Sequence, residues 1–151
     1  MGIRQKVLRK NIIGREFIFN NSKWVPYIDN KYKFSYEYDS TVLKYLGTLK
    51  TKTGRVLKVL TSKWYFGSGP HGSTRILVFD NKNKYLGEYY LTMTNEVPKR
   101  IENNRLIFSN RDKDDCDRKL ITRISFYSGI PKQFFVRCKG EFGDVYTFGS
   151  E

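Results

Sequence analysis

The strongest constraint on what this chain can fold into is an octapeptide, Lys31-Tyr32-Lys33-Phe34-Ser35-Tyr36-Glu37-Tyr38, in which polar and aromatic residues alternate without exception. Successive side chains on a strand point to opposite faces, so Tyr32, Phe34, Tyr36 and Tyr38 would share one side. The expectation is a β-strand whose rings are buried, because burial is what large apolar surfaces ordinarily achieve. Exposed, the same row would be a stacking platform for single-stranded nucleic acid. Alternation, however, puts Lys31 and Lys33 on the face opposite the rings, the wrong arrangement for a combined stacking and phosphate site.

Most of the remaining chain reads the same way. Alanine is absent, whereas Tyr and Phe each occur 11 times, which favours pleated surfaces over helices. Candidate strands are 15–19, 31–38, 44–51, 55–66, 74–80, 84–92, 104–109, 119–127, 132–139 and 144–149. The breaks between them are short and rich in Gly, Asn and Asp, as at Thr53-Gly54, Asp80-Asn81-Lys82-Asn83, Asn103-Asn104 and Ser128-Gly129. Such turns join antiparallel neighbours, and no crossover segment long enough for parallel pairing is visible. The predicted fold is mainly β: one antiparallel meander of about 8–10 strands over residues 15–151, forming a curved sheet, barrel or sandwich. Residues 1–14 read as a basic arm or a short helix, since Ile3/Val7 and Leu8/Ile12 fall on different helical faces.

Two self-similarities stand out. Lys44-Tyr45-Leu46-Gly47 recurs as Lys84-Tyr85-Leu86-Gly87, and strands close on an aromatic and Asn at Phe19, Phe79 and Phe108. The likeness stops at the edges of the tetrapeptide, so ordinary strand exits account for it better than a propeller-type repeat.

The formal charge of +13 is unevenly spread: 15 Lys/Arg against 4 Asp/Glu in residues 1–75, and 13 against 11 in residues 76–151. A field of that sign favours acidic partners and polyanions. No stretch reaches the ~20 apolar residues of a membrane span, and the basic start lacks the apolar run of a secretory signal. A cytoplasmic protein is expected. Pairing 119–127 with 132–139 as a hairpin would hold Cys116 and Cys138 too far apart to bond, so two free thiols are expected.

Residues that could carry chemistry are few. Gly67-Ser68-Gly69-Pro70-His71-Gly72-Ser73-Thr74 holds the only histidine. Gly67 and Gly72 have the spacing of a phosphate-binding loop, but Ser73 stands where lysine is required and a strand follows instead of a helix. Ser68 or Ser73 with His71 lacks the orienting group and oxyanion site that a nucleophile needs. Asp112-Lys113-Asp114-Asp115-Cys116-Asp117 has Asp117 in the glycine place of a calcium loop and Arg123 in the glutamate place, so a solvated turn is expected. One histidine and two separated cysteines make no zinc set. No cofactor, metal or catalytic residue is predicted.

The favoured reading is a non-enzymatic protein-binding module, an inhibitor or immunity-type partner of an acidic-surfaced protein, contacting it through Trp64, Tyr65, Ser68, Gly69, His71, Arg75, Tyr85 and Tyr89. The first alternative is nucleic-acid binding through Arg4, Lys6, Arg9, Lys10, Lys31, Lys33, Lys50, Lys52 and Arg55. The second is small-molecule binding or hydrolysis at the 67–74 loop.

Overall fold

The computed structural model describes residues 2–20, 23–26, 34–37, 39–66 and 72–150, with backbone alone at 20, 23–26, 34–37, 39, 66 and 72. The antiparallel β reading holds. Among the described residues twelve strands form a seven-stranded sheet, a three-stranded sheet and a two-stranded ribbon, and no barrel closes. The large sheet contains β1 (Glu16–Asn20), β4 (Asp39–Lys50), β5 (Val56–Phe66), β6 (Gly72–Asp80), β7 (Tyr85–Leu91), β12 (Phe142–Gly149) and β11 (Gln133–Lys139), in the order β1-β4-β5-β6-β7-β12-β11. The small sheet is β8 (Arg100–Glu102), β9 (Arg105–Ser109) and β10 (Ile121–Ser125), and the ribbon is β2 (Lys23–Pro26) with β3 (Phe34–Glu37). The rings of the 32–38 row lie outside the described residues; only the strand character of 34–37 is seen.

The large sheet is covered on both faces. One face carries Leu57, Val59, Ile76, Val78, Tyr89 and Leu91, which pack against Leu106 and Phe108 of the small sheet and against Phe126, Phe134 and Tyr146. The other carries Leu43, Tyr45, Leu60, Leu77 and Phe79 under the helix α1 (Ile3–Lys10). α1 docks by the adjacent pair Val7 and Leu8, each 1% exposed, while Ile3 and Ile12 stay at the rim. The four-residue spacings were therefore the wrong ones to weigh: two neighbouring apolar residues suffice for an eight-residue helix lying across a sheet. Asn11 closes it in the left-handed conformation, and Gly14 N–H then donates to Tyr45 O at 2.8 Å.

The repeated tetrapeptide has a structural reason. In β4, Tyr45 pairs with Leu60 and Gly47 with Val59, leaving Leu46 as an extra residue. In β7, Tyr85 pairs with Phe79 and Gly87 with Val78, leaving Leu86 extra. Each copy is a β-bulge that turns its tyrosine toward the helix side and its leucine toward the other core. Turn chemistry was legible too: Asn103 (φ 51°) and Asn104 (φ 60°) make the two-residue hairpin between β8 and β9 that needs positive φ twice.

Two expectations are corrected. The segment 119–127 does not pair with 132–139; β10 pairs with β9, and β11 with β12. Consequently the loop 110–120 folds back over the end of β11, and Cys116 and Cys138 form a disulfide with Cα atoms 4.6 Å apart. Asn110, 2% exposed, holds that loop: its Nδ2 donates to the carbonyls of Asp117, Arg137 and Cys138 at 2.9–3.2 Å. Asp117 N–H donates to Cys138 O at 2.8 Å.

The buried tyrosines make stability sensitive to alkali. Burial pushes the phenols of Tyr45, Tyr89 and Tyr146 up, and the neighbouring carboxylates of Glu96 and Asp144 push Tyr146 further. The Tyr146 hydroxyl makes no aligned hydrogen bond to either acid, so desolvation dominates. A raised phenol keeps its proton in the fold after the unfolded chain has lost it. Its contribution is thus complete below pH ~10 and is lost as pH rises above that, by about 1.4 kcal/mol per pH unit per tyrosine. Urea midpoints should fall above pH ~10, and Tyr146→Phe should flatten the fall; midpoints level through this range would contradict the burial.

Candidate binding surface

Beyond the end of α1, the helix-side face of β5, β6 and β7 is open. Register sets Ser62 opposite Arg75, Trp64 opposite Ser73, and Arg75 opposite Tyr90. Alternation therefore puts Trp64, Arg75 and Tyr90 on one side, at 39% exposure for the indole and 53% for Tyr90. Ile3 and Arg4 of α1, with Thr41 and Leu43 of β4, complete a cleft of about 250 Å³ floored by Leu43 and edged by the hydroxyls of Ser62 and Ser73.

The arginine at its centre is held in place. Glu88 Oε2 lies 3.0 Å from Arg75 Nε, an ion pair without an aligned N–H bond. Glu88 Oε1 accepts from Tyr85 OH at 2.6 Å. The guanidinium of Arg75 lies 5.7 Å from the Tyr90 ring centroid, and that of Arg4 lies 5.5 Å from Tyr85. Fixing a long cationic side chain before binding reduces the ordering cost an interface must meet. With Arg4 and Arg75 against Glu88, the cleft keeps a positive balance.

Of the residues singled out in the sequence, Trp64 and Arg75 meet here, with Tyr85 in support beneath. Tyr65 points to the opposite side of β5. Tyr89 is no surface residue: it is fully buried, and its hydroxyl donates to Pro131 O. Ser68, Gly69 and His71 lie outside the described residues, between β5 and β6 in the chain. Tyr90, which the sequence already places among the tyrosines flanking the 67–74 loop, and Arg4, expected instead in the nucleic-acid set, complete the surface. The sequence did not say which of Tyr89 and Tyr90 faces outward, and it gave Arg4 only as charge.

The described members of the nucleic-acid set lie on α1 and around the β4–β5 turn. Arg4 is engaged with Tyr85, Lys6, Arg9 and Lys10 line the exposed side of α1, and Lys50, Lys52 and Arg55 flank the β4–β5 turn. Lys31 and Lys33 lie outside the described residues. The Asp-rich loop is a solvated turn: Arg118 pairs with Asp114 at 2.8 Å, and Asp117 Oδ1 accepts from Lys119 N–H at 3.0 Å. Among the described residues no three His, Cys, Asp or Glu side chains gather as a metal site, and no helix is long and apolar enough to cross a membrane. Scans against protein-family models, curated proteins and solved structures found no match to this chain.

Proposed function

We propose that this protein is a non-catalytic binding module whose Trp64–Arg75–Tyr90 face seats an acidic segment of a protein partner. The observation that carries this reading is Arg75, held against Glu88 and the exposed Tyr90 ring and lining a preformed cleft together with the exposed Trp64. Trp, Tyr and Arg are the residues on which interface energy concentrates. The cleft admits one acidic side chain, and the positive balance of Arg4 and Arg75 favours a carboxylate there. The charge of the whole chain would speed the encounter. The Cys116–Cys138 bond belongs with an oxidising compartment, which weighs against the cytoplasmic setting expected from the sequence.

The test is affinity capture from the native cell, comparing wild type with Trp64→Ala and Arg75→Glu variants whose circular dichroism is unchanged. A partner should be retained by wild type and lose at least about tenfold in affinity with either variant, the scale of an interface hot spot of roughly 2 kcal/mol. A partner held equally by all three proteins would place the interface elsewhere and end this reading.

A further inference from the structure

The small sheet turns Leu106 and Phe108 of β9 into the core, so alternation turns Arg105, Ile107 and Ser109 outward. Its neighbours across the ladder are Arg100 on β8 and Arg123 on β10, both directly opposite Ile107. Three arginines from three strands thus share the outer face. The loop 110–120, held by Asn110 and by the Cys116–Cys138 bond, adds Arg111, Arg118 and Lys119 along a groove of about 710 Å³ with Ile107 and Ile121 in its floor. That volume is in the range of ligand sites.

Among the described residues Asp112 is the one carboxylate that lines the groove; Glu102 and Asp114 pair with Arg100 and Arg118 beside it. Asp112 Oδ2 accepts from Lys99 Nζ at 2.7 Å. Lys99 first, then Arg111 and Arg118, hold the Asp112 carboxyl below its usual range. Asp112 thus draws on Lys99 and Arg111, and on Arg118, which it shares with Asp114. Lys99 also borders a second, smaller cleft that includes Lys44 and Lys63. The Lys63 ammonium is pushed down by burial and, despite Glu16, by Lys44 and Lys99 as well, so these lysines stand close enough to repel one another. The positive surface runs on from the outer face of the small sheet to β4 and β5.

We propose that this surface binds a linear chain of phosphates, with the Asp112 carboxylate occupying one anion position that the ligand takes over. Arginine forks match phosphate oxygens in pairs. Among the described residues no aromatic side chain lines the groove, so binding would read charge spacing and not bases. The competing ion pairs, Lys99–Asp112, Arg100–Glu102 and Arg118–Asp114, are exposed and weak enough to be exchanged for a multivalent ligand.

Fluorescence anisotropy on the intact chain, with inorganic polyphosphate, an oligodeoxythymidylate and polyglutamate as probes, decides the matter. Binding of a phosphate chain should weaken steeply with salt, with a log–log slope of about −3.5 if five phosphates of a single strand are neutralised. Arg118→Gln with Lys119→Gln should weaken it at least about tenfold, whereas Asp112→Asn should tighten it about threefold or more. Reducing the disulfide should weaken it by freeing the loop. Polyphosphate alone, oligonucleotide alone, or both would each support the site and identify the source of the phosphates. Binding of neither, equal binding of polyglutamate, or no gain with Asp112→Asn would overturn it. Trp64→Ala should leave this binding unchanged, so the two surfaces fail or stand separately.

Discussion

Replacing Tyr89 with alanine should cost about 4 kcal/mol of folding stability, enough to leave a domain of ordinary stability partly unfolded. Tyr89 is fully buried between sheet layers, with ring centroids of Phe134 at 4.7 Å, Phe148 at 5.1 Å and Phe126 at 6.2 Å. Truncation opens a cavity under three aromatic neighbours and strands the Pro131 carbonyl that the hydroxyl serves. Tyr89→Phe keeps the packing and loses only the hydrogen bond, at about 1–2 kcal/mol. Urea denaturation followed by circular dichroism separates the two. The neighbour supplies the control: Tyr90→Ala, on the exposed side of the same strand, should stay within about 0.5 kcal/mol of wild type apart from its contact with Arg75. If Tyr89→Ala cost no more than Tyr90→Ala, the inward and outward faces of β7 would have to be exchanged.

That pair shows where sequence reasoning reaches and where it stops. Antiparallel pairing of β4 through β7 was legible because each connection carries its own turn chemistry; Asp80 Oδ1, for example, accepts from the Lys82 and Lys84 amides at 2.8 and 2.9 Å in the turn that the Asp-Asn-Lys-Asn run announced. Which of two adjacent tyrosines faces the core was not legible. Parity along β7 depends on the bulge at Leu86, and a shift of one residue exchanges the faces. Nor was the placement of β12 beside β7, since pairing of strands so far apart in the chain leaves no local trace. The disulfide was missed for the same reason: a hairpin inferred from a Ser-Gly turn set the wrong register, and with it the wrong distance. At the candidate surface, Trp64 and Arg75 were readable as anchor residue types near an unusual loop. The outward facing of Tyr90 needed the cross-strand register, and Arg4 needed the docked helix, before either could be placed there.

The recurring tetrapeptide offers the sharpest test of the long-range pairing. Gly47 and Gly87 both have positive φ, 121° and 154°, at equivalent places in their bulges. A methyl added at Gly47 would meet the Ile13 side chain at 3.5 Å and that of Ile101 at 3.8 Å, both ordinary contacts, so Gly47→Ala carries little beyond a backbone strain of about 1–2 kcal/mol. At Gly87 the same methyl would lie 2.3 Å from the Phe148 ring and 2.6 Å from the Gly149 carbonyl oxygen. The ring is wedged against Tyr89 and the carbonyl belongs to the ladder joining β12 to β7, so neither can give way cheaply. Adding an overpacking cost of about 1–3 kcal/mol to the strain gives Gly87→Ala a loss of about 3 kcal/mol or more. The measured quantity is the difference between the two variants in urea midpoint at equal slope. Since local sequence and backbone class are matched, a gap of about 2 kcal/mol can come only from β12 lying against β7. Equal losses would mean that Phe148 does not cover Gly87, and the seven-stranded sheet would end at β7.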